Sequence, residues 1–453
     1  MSLADVEHFT ALIRDEQRRF FAADAPILIT RAPGRLDVMG GIADYSGSLV
    51  LEMPIAEATL AAIQLRDEPI IQVMSLGGDR VGDAAVFTLP ISNFYQQDEP
   101  VAYETAAAIF RADPGRHWAA YIAGAFLVLM REKGIRFQQG ARLLLTSTLP
   151  EGKGVSSSAA VEVAAMQAIA AAYQLDIPPR ELALLCQKVE NYVAGAPCGI
   201  MDQMTVVAGQ PNHLLALLCQ PAEIQGMIAI PDELAFWGVD SGIRHAVSGA
   251  DYGSVRVGAF MGYKILQTIT GRDWGGYLAN LRPAEFEQKY QALLPERMAG
   301  ADFLREYGTI PDGVTAVSPQ QTYAIRQPTF HPIYEHFRVQ TFARLLAGDA
   351  LLNAPLLGEL MFQSHASYSA CGLGSEGTDL LVEMAREAGA PQGVYGAKIT
   401  GGGSGGTVVI LAQAGAEAAV QAIAAKYADQ TGYTPHIFAG SSPGAAQFGY
   451  LEL

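Results

Sequence analysis

The chain alternates between short apolar runs and longer segments with the apolar spacing of helices. Apolar runs at residues 27–30, 49–55 and 142–147 predict strands, and the first run is followed by a predicted turn at residues 31–34. Helical spacing predicts helices at residues 119–133, 156–173, 181–193, 255–269, 284–294, 334–346 and 356–370. Strands and helices are mixed throughout, which is typical of an α+β protein.

The C-terminal part of the chain has the most regular order of elements. It predicts a helix at residues 380–388, strands at 396–399 and 407–411, a helix at 416–427 and a strand at 434–438. This order is typical of a ferredoxin-like α+β layer. Upstream, residues 307–332 hold several prolines and predict a long loop. Strand-like pieces flank Pro231, so we expect one domain at residues 1–233 and a second at residues 234–453.

Composition narrows the class of protein. The 453 residues are too many for one hydrophobic core, which agrees with two domains. A net charge of −16 without a basic tract argues against binding to nucleic acid or to an anionic membrane surface. The four cysteines form no paired motif, residues 1–16 lack the features of a signal peptide, and the apolar stretches are too short to span a bilayer. We expect a cytoplasmic monomer without a disulfide framework, a zinc site or an obligate protein partner.

A glycine loop at residues 150–160 joins a predicted strand directly to a predicted helix. Its sequence is Pro-Glu-Gly-Lys-Gly-Val-Ser-Ser-Ser-Ala-Ala, and its small residues let backbone N–H groups approach a ligand. Polyphosphate suits this arrangement because the helix dipole favours an anion, Lys153 adds charge, and the serines are available to a magnesium ion. The Walker spacing of glycines is absent, and a serine-capped helix after a flexible loop would explain the loop alone equally well.

Five glycines fall within residues 401–406, between two predicted strands. Gly401, Gly403 and Gly406 match the G-x-G-x-x-G pattern of dinucleotide-binding folds. That pattern requires a helix directly after it, whereas residues 407–411 predict a strand, so the dinucleotide interpretation fails. A simple hairpin rarely needs so many glycines. We therefore expect the backbone here to approach a ligand or another loop closely.

Glu190 and Asp202 are two acids separated by a segment rich in glycine and proline. They could act as a magnesium ligand and a proton acceptor, although each acid alone is a weak signal because acids usually face water. Asp202 lies between Met201 and Met204, a poor environment for a merely solvated carboxylate. A nearby arginine would keep it ionised, and Arg35 is the candidate.

Together these segments resemble the GHMP kinases, and within them the galactokinase branch. Four motifs occur in the family's order, namely a sugar-recognition signature at 31–45, the phosphate loop at 152–160, a Gly-Ile-Met-Asp-Gln segment within 198–203 and a glycine-rich third motif at 400–406. The resemblance implies a two-domain α+β fold, with a mixed N-terminal domain that carries the phosphate loop and a ferredoxin-like C-terminal domain. It also implies a sugar kinase that uses ATP and Mg²⁺.

The resemblance also implies roles for particular residues. Asp202 would be the catalytic base or anionic orienter, and Arg35 would hold its charge and stabilise the transferring phosphoryl group. Ser158 and Glu190 would coordinate magnesium. The ATP-binding residues would be Gly152, Lys153, Gly154, Val155, Ser156, Ser157 and Ser158, with Trp118 lining the adenine pocket, although a helix-core role suits that tryptophan nearly as well. The sugar-binding residues would be Asp37, Gly41, Ile42, Asp44, Gly199, Asp202 and Tyr252. Arg244 and His245 match a family pair to which we give a structural role.

Four positions depart from the galactokinase pattern, at residues 41, 42, 43 and 153. Galactokinases read Gly-Glu-His-Thr-Asp-Tyr where this chain has Gly-Gly-Ile-Ala-Asp-Tyr at residues 40–45, and in that family the Glu and His bind the C6 hydroxyl of the sugar. Gly41 and Ile42 offer no side-chain hydrogen bond. L-Arabinopyranose has the ring configuration of D-galactose without the C6 hydroxymethyl group, so the departure implies phosphorylation of L-arabinose to β-L-arabinose 1-phosphate. The segment is also similar to plant L-arabinokinases. Lys153 replaces the usual glycine and is interpreted as an added phosphate contact.

Three alternatives stay open at this point. They are a galactokinase that has drifted at residues 41 and 42, a uronic-acid kinase, and a non-catalytic sugar sensor on the same fold. A uronate would need a cation near C5, and residues 40–43 supply none. Sensors of this kind lose part of the Ser-Ser-Ala-Ala run or one acid, whereas residues 157–160, Glu190 and Asp202 are intact here, which favours an enzyme.

Overall fold

The computed structural model describes residues 3–76, 85–243 and 250–453, which form helices and two main sheets. The helices are α1 Ala4–Asp15, α2 Tyr103–Arg111, α3 Ala120–Lys133, α4 Ser157–Ala172, α5 Pro179–Lys188, α6 Met201–Ala208, α7 Ala250–Thr270, α8 Pro283–Lys289, α9 Gly300–Tyr307, α10 Arg326–Leu346, α11 Ala350–Ala370, α12 Glu376–Ala388, α13 Glu417–Thr431 and α14 Ala445–Phe448. The strands are β1 Leu28–Met39, β2 Leu49–Arg66, β3 Ile70–Leu76, β4 Ala85–Pro90, β5 Tyr95–Gln96, β6 Glu99–Pro100, β7 Gly140–Ser147, β8 His213–Leu218, β9 Glu223–Ala229, β10 Leu234–Asp240, β11 Arg297–Ala299, β12 Thr322–Ala324, β13 Val394–Ile399, β14 Thr407–Gln413, β15 Ile437–Phe438 and β16 Leu451–Glu452.

The larger sheet is built around the long strand β2. Its order is β16-β1-β2-β7-β3-β4, with β8 paired to β2 and β9 to β8. Its pairs are antiparallel except for β3 and β7, which are parallel. Successive side chains of a strand point to opposite faces, so one face of the sheet packs against α3 and α4 and the other contacts α1. The sheet therefore has a helical layer on the side that carries the phosphate loop.

The smaller sheet has the order β13-β14-β10-β15 and is antiparallel. Apolar side chains of α12 and α13 pack against it in a separate core. A third core holds α7 to α10 together with the short hairpin β11-β12. This combination of layers confirms the predicted α+β fold.

Two sequence predictions of local structure are wrong. The predicted turn at residues 31–34 is part of β1, which continues through Pro33 and Gly34 with a shift in register before Arg35. The predicted loop at 307–332 contains β12 and the start of α10. Pro328 falls in the first turn of that helix, where its missing N–H removes no intrahelical bond, and Pro332 lies further inside.

The proposed domain boundary after residue 233 lies between β9 and β10, which belong to different sheets. We keep that boundary as a proposal, because the two parts of the chain are closely joined. β16, at the C-terminal end, pairs with β1, and α10 and α11 contribute apolar side chains to the core of the larger sheet.

In the part of the chain that the structure describes, no helix is long and apolar enough to cross a membrane. Cys186, Cys198, Cys219 and Cys371 are buried free thiols. Burial raises the pKa of Cys371 to about 12, so this thiol stays protonated at neutral pH.

Candidate active site

Arg35 and Asp202 form an ion pair at the point where β1, α6 and the phosphate loop meet. The Nε and Nη2 groups of Arg35 both donate to Asp202 Oδ1, at 2.9 and 2.7 Å. Its Nη1 donates to the carbonyl oxygen of Gly154 at 2.6 Å. The Arg35 side chain is only 2% exposed, whereas Asp202 is 20% exposed. Arg35 is thus enclosed by the protein, whereas part of the Asp202 carboxylate is accessible to solvent.

A buried group of acids and cations lies behind this pair. Glu52 Oε2 is 3.3 Å from Arg35 Nε, and Asp37 Oδ2 is 2.6 Å from Lys398 Nζ. Burial lowers the pKa of Arg35, but the carboxylates of Asp202, Glu52 and Asp37 outweigh it, so the pKa lies above its ordinary value. Burial, reinforced by Asp37 and opposed by Arg35, raises the pKa of Glu52 well above its ordinary value. The group thus places three acids beside two cations.

The third glycine motif, at residues 400–406, packs closely against the phosphate loop between β7 and α4. The Thr407 hydroxyl donates to the carbonyl oxygen of Lys153 at 2.8 Å. A Cβ at Gly406 would lie 2.8 Å from Lys153 O, and one at Gly401 would lie 2.9 Å from Gly154 O. Side chains there would separate the two loops. The predicted close approach of the glycine backbone is confirmed, and its partner is the phosphate loop.

The Lys153 side chain points toward the smaller sheet. Its ammonium nitrogen lies 3.0 Å from Asp240 Oδ2 at the end of β10, and it also lies over the ring of Tyr433. Asp240 is almost fully buried. Asp240 therefore neutralises part of the positive charge that Lys153 would otherwise offer to the phosphates of ATP. The phosphate contact of Lys153 stays a prediction.

Glu190 lies near Ser158 and forms a cluster of buried polar side chains with Glu162 and Gln203. Gln203 Nε2 donates to Glu190 Oε2 at 2.6 Å and to Glu162 Oε2 at 3.2 Å. Burial, followed by the charge of Asp202, raises the pKa of Glu190 to about 7, and a hydrogen bond with Ser158 opposes this rise. Burial and then Glu190 raise the pKa of Glu162 well above its ordinary value.

This cluster fits a magnesium ion. Glu162 Oε1 is buried without a hydrogen-bond partner. Within residues 3–76, 85–243 and 250–453, no group of three or more His, Cys, Asp or Glu side chains could hold a metal. Mg²⁺ needs few protein ligands when phosphates and water supply the remaining oxygens. Ser158 and Glu190 stay the predicted ligands that the protein would supply to such a site.

The proposed sugar-binding residues Asp44, Gly199 and Tyr252 lie close together beside Asp202. Burial and then Asp202 raise the pKa of Asp44 to about 7, while Arg256 lowers it. A Cβ on Gly199 would lie 1.6 Å from Asp44 Oδ2, so only glycine allows the backbone to pass there. The rings of Tyr252 and Tyr45 meet edge to face, with centroids 6.1 Å apart.

Asp37 requires a correction. Its carboxylate is fully buried, accepts the N–H of Gly41 at 3.0 Å through Oδ1 and pairs with Lys398 through Oδ2. Both oxygens are engaged inside the protein, so Asp37 supports the turn beneath the site instead of contacting a sugar. Arg31 is likewise structural, because its guanidinium group binds Asp5, Ser442 and the carbonyl oxygen of Ala56.

Trp118 lies in a short 3₁₀ turn before α3, where it is half-buried and packs against the large core. Its contact with adenine stays a prediction. Tyr121, one turn further on, was not anticipated. Burial and then Glu190 and Glu162 raise its pKa, which places it next to the acidic cluster. Arg244 and His245 lie outside the described residues.

Several buried charges of the site were not predicted from the sequence. Arg256 donates through Nε and Nη2 to both oxygens of Asp312, at 2.8 and 2.9 Å, and through Nη1 to the carbonyl oxygen of Cys198 at 3.1 Å. Glu52 lies in the apolar run at residues 49–55 of β2, and Lys398 lies between Ala397 and Ile399 in β13. A single charge inside an apolar run is the signal that could have identified them, because such charges are rarely buried without a partner.

Comparison with known proteins agrees with this geometry. Residues 120–210 match the description of the GHMP kinases N terminal domain, residues 349–429 that of GHMP kinases C terminal, and residues 17–65 the galactokinase galactose-binding signature. The fold and the site therefore define a kinase of the GHMP class.

Individual relatives narrow the class. The galactokinase of Chloroflexus aggregans is 32% identical over 90% of this chain and 90% of its own length. The chain belongs to the galactokinase family of GHMP kinases. The L-arabinokinase of Arabidopsis thaliana is 47% identical over 96% of this chain, which spans about half (47%) of that protein. The structure of Lactococcus lactis galactokinase complexed with galactose shares the fold, with a TM-score of 0.76, 22% identity and coverage of 98% and 100% of the two chains.

Proposed function

We propose that this protein transfers the γ-phosphoryl group of ATP to the anomeric hydroxyl of L-arabinose, giving β-L-arabinose 1-phosphate and ADP. The observation that carries the proposal is the lack of polar side chains at residues 41 and 42 of the sugar-recognition signature. Gly41 has no side chain, and Ile42 is buried in an apolar cluster with Tyr252 and Val255. The 47% identity to an L-arabinokinase over 96% of the chain supports the same substrate.

The absence of polar side chains at residues 41 and 42 favours binding of L-arabinose over binding of D-galactose. D-Galactose would carry a hydroxymethyl group toward Gly41 and Ile42, where it would lose its hydrogen bonds to water. A buried unsatisfied hydroxyl costs about 1–3 kcal/mol, which corresponds to roughly tenfold to hundredfold discrimination. Asp44 and Tyr252 remain available for the ring hydroxyls that the two sugars share.

Asp202 and Arg35 would act directly on the reacting groups. Asp202 Oδ1 is held by Arg35, and the exposed side of the carboxylate is free to accept the proton of the anomeric hydroxyl. Arg35 also donates to the phosphate loop at Gly154, so it fixes the distance between the proposed base and the phosphates. Phosphoryl transfer has a loose transition state, so such positioning and charge neutralisation supply most of the rate.

Ser158 and Glu190 would hold the magnesium ion of the nucleotide. When bound, the ion supplies positive charge to the phosphate oxygens. The loop from Gly152 to Ser157 would hold the phosphates through backbone N–H groups at the start of α4. Glu162 and Gln203 would orient Glu190 from behind.

The proposal is tested by a coupled ADP-release assay with ATP and Mg²⁺ on L-arabinose, D-galactose, D-glucuronate and D-xylose. We expect the highest kcat/KM with L-arabinose and weak turnover of D-galactose. Preference for D-galactose would mean that another group has taken over the C6 contact. Absence of sugar-dependent ADP release with all four sugars would instead support the sensor.

A further inference from the structure

Tyr368, in the last turn of α11, reaches under the turn that carries Gly41 and Ile42. Its side chain is fully buried. Its hydroxyl accepts the N–H of Ile42 at 2.8 Å and donates to the carbonyl oxygen of Gly401 at 3.0 Å. Tyr368 thus joins the sugar-recognition turn to the third glycine motif.

The Tyr368 hydroxyl occupies the volume that a side chain at position 41 would need. A Cβ on Gly41 would lie 1.5 Å from Tyr368 Oη and 2.7 Å from its Cζ. It would also lie 2.6 Å from Asp37 Oδ2. The φ angle of Gly41 is +45°, in the left-handed region that disfavours side chains. Position 41 is therefore restricted to glycine while Tyr368 keeps its place.

The same hydroxyl fixes the neighbouring isoleucine. Ile42 belongs to a buried apolar cluster with Tyr252, Val255, Tyr368, Cys371, Leu373 and Ile399. Because the backbone N–H of Ile42 is the donor to Tyr368, the placement of this side chain depends on that hydrogen bond. Tyr252 also contacts the ring of Tyr45, the residue after Asp44, with centroids 6.1 Å apart, and burial and then Asp44 raise its pKa, so the cluster borders the proposed sugar pocket.

We infer that Tyr368 is a positioning residue that sets sugar specificity. It keeps position 41 free of a side chain and holds Ile42 as an apolar wall. The pocket then accepts a pentopyranose and disfavours a sugar with a polar group on ring carbon C5. This inference rests on the proposed function. It identifies Tyr368 as the residue that maintains the selectivity of the pocket for the sugar.

The first test is Tyr368→Phe, with the ratio of kcat/KM for L-arabinose to kcat/KM for D-galactose as the readout. The variant loses the hydroxyl and both of its hydrogen bonds, including the one that holds Ile42, and we expect the ratio to fall about fivefold through the sugar KM values, with the KM for ATP unchanged. Tyr427→Phe is the matched control. The buried Tyr427 hydroxyl donates to the carbonyl oxygen of Ser241 at 2.7 Å, outside this cluster, so its loss should leave the ratio unchanged.

The second test is the coupling between positions 41 and 368. Gly41→Ala should lower the melting temperature and weaken sugar binding in the wild-type background. In the Tyr368→Leu background the further loss should be smaller, because the Oη and Cζ atoms that the new methyl group would strike are gone. An unchanged sugar ratio in Tyr368→Phe, or equal effects of Gly41→Ala in both backgrounds, would overturn the inference.

Failure of the inference and failure of the proposed function give different results. A wild-type preference for D-galactose would refute the substrate, whereas the role of Tyr368 is judged by the change in ratio relative to Tyr427→Phe. If no sugar is phosphorylated, the ratio of the two sugar dissociation constants, measured by calorimetry, replaces the kinetic ratio. Equal ratios in wild type and Tyr368→Phe would then still overturn the inference.

Discussion

At the scale of single residues, the account depends first on Asp202. Asparagine has the same shape but cannot accept the proton of the sugar hydroxyl. We predict that Asp202→Asn lowers kcat about 10²–10⁴-fold, the usual contribution of a general base, and leaves the dissociation constant for ATP nearly unchanged. Steady-state kinetics and nucleotide titration measure the two quantities. Near-normal turnover in this variant would remove Asp202 from the catalytic role.

Glu190 makes the stability of the magnesium-free protein depend on pH. Its pKa is about 7 in the folded protein against an ordinary value of 4.5, so between these values the folded state holds a proton that the unfolded state has released. The free energy of unfolding should therefore fall as pH rises through this window, by up to about 1.4 kcal/mol per pH unit for this group. Urea unfolding at several pH values measures the slope.

Asp44 and Glu190 contribute to this trend in the same direction, because burial also raises the pKa of Asp44 to about 7. Comparison with Glu190→Gln isolates the contribution of one group, and the variant should show a flatter dependence. If wild type and variant lose stability in parallel, the raised pKa of Glu190 is wrong. Binding of Mg²⁺ with nucleotide should strengthen as pH rises through about 7, since the metal requires the deprotonated carboxylate.

Sequence motifs indicate candidate residues for chemistry, but not the residues that support them. The motifs single out Arg35, Asp202, Ser158 and Glu190, whose contribution to catalysis stays a prediction. Asp37 was assigned to the sugar because it lies in the signature, although its carboxylate is used by Lys398. The contacts of Tyr368 join segments far apart in the chain, and no local pattern indicates them.

At the scale of elements, Lys153 and Asp240 connect the phosphate loop to β10. If this pair positions the loop, Lys153→Met and Asp240→Asn should raise the KM for ATP to a similar extent, because either change removes the same connection. If Lys153 contacts phosphate directly, Lys153→Met should have much the larger effect. Parallel kinetics on the two variants decide between these roles, and the structure predicts the first result.

Elements with a strong local pattern were predicted well, and those set by distant contacts were not. The helix expected at residues 119–133 is α3, whose residues from Ile122 to Met130 are all buried, and Gly134 ends it in a left-handed conformation. The extended course of β1 through Pro33 and Gly34 depends instead on pairing with β2 and on close contact of Gly34 with Leu149. Residues 31–34 alone are typical of a turn.

At the scale of the whole molecule, Asp37 and Lys398 join β1 of the larger sheet to β13 of the smaller one. Both side chains are fully buried. We predict that Lys398→Met lowers the free energy of unfolding by about 3–5 kcal/mol, because it leaves a buried carboxylate without its cation. Lys426→Met is the control, since Lys426 pairs with Glu387 on the exposed surface, where an ion pair contributes about 0–1 kcal/mol. Equal effects of the two variants would show that the buried pair does not hold the sheets together.

The central claim is a kinase whose pocket selects L-arabinose, and a competition experiment tests it most directly. Equal concentrations of L-arabinose and D-galactose are supplied with limiting ATP and Mg²⁺, and the sugar phosphates are identified by mass spectrometry and phosphorus NMR. We predict a pentose 1-phosphate in roughly tenfold to hundredfold excess over the hexose product, as the cost of an unpaired C6 hydroxyl requires. A mixture dominated by hexose phosphate, or one without any sugar phosphate, would contradict the account.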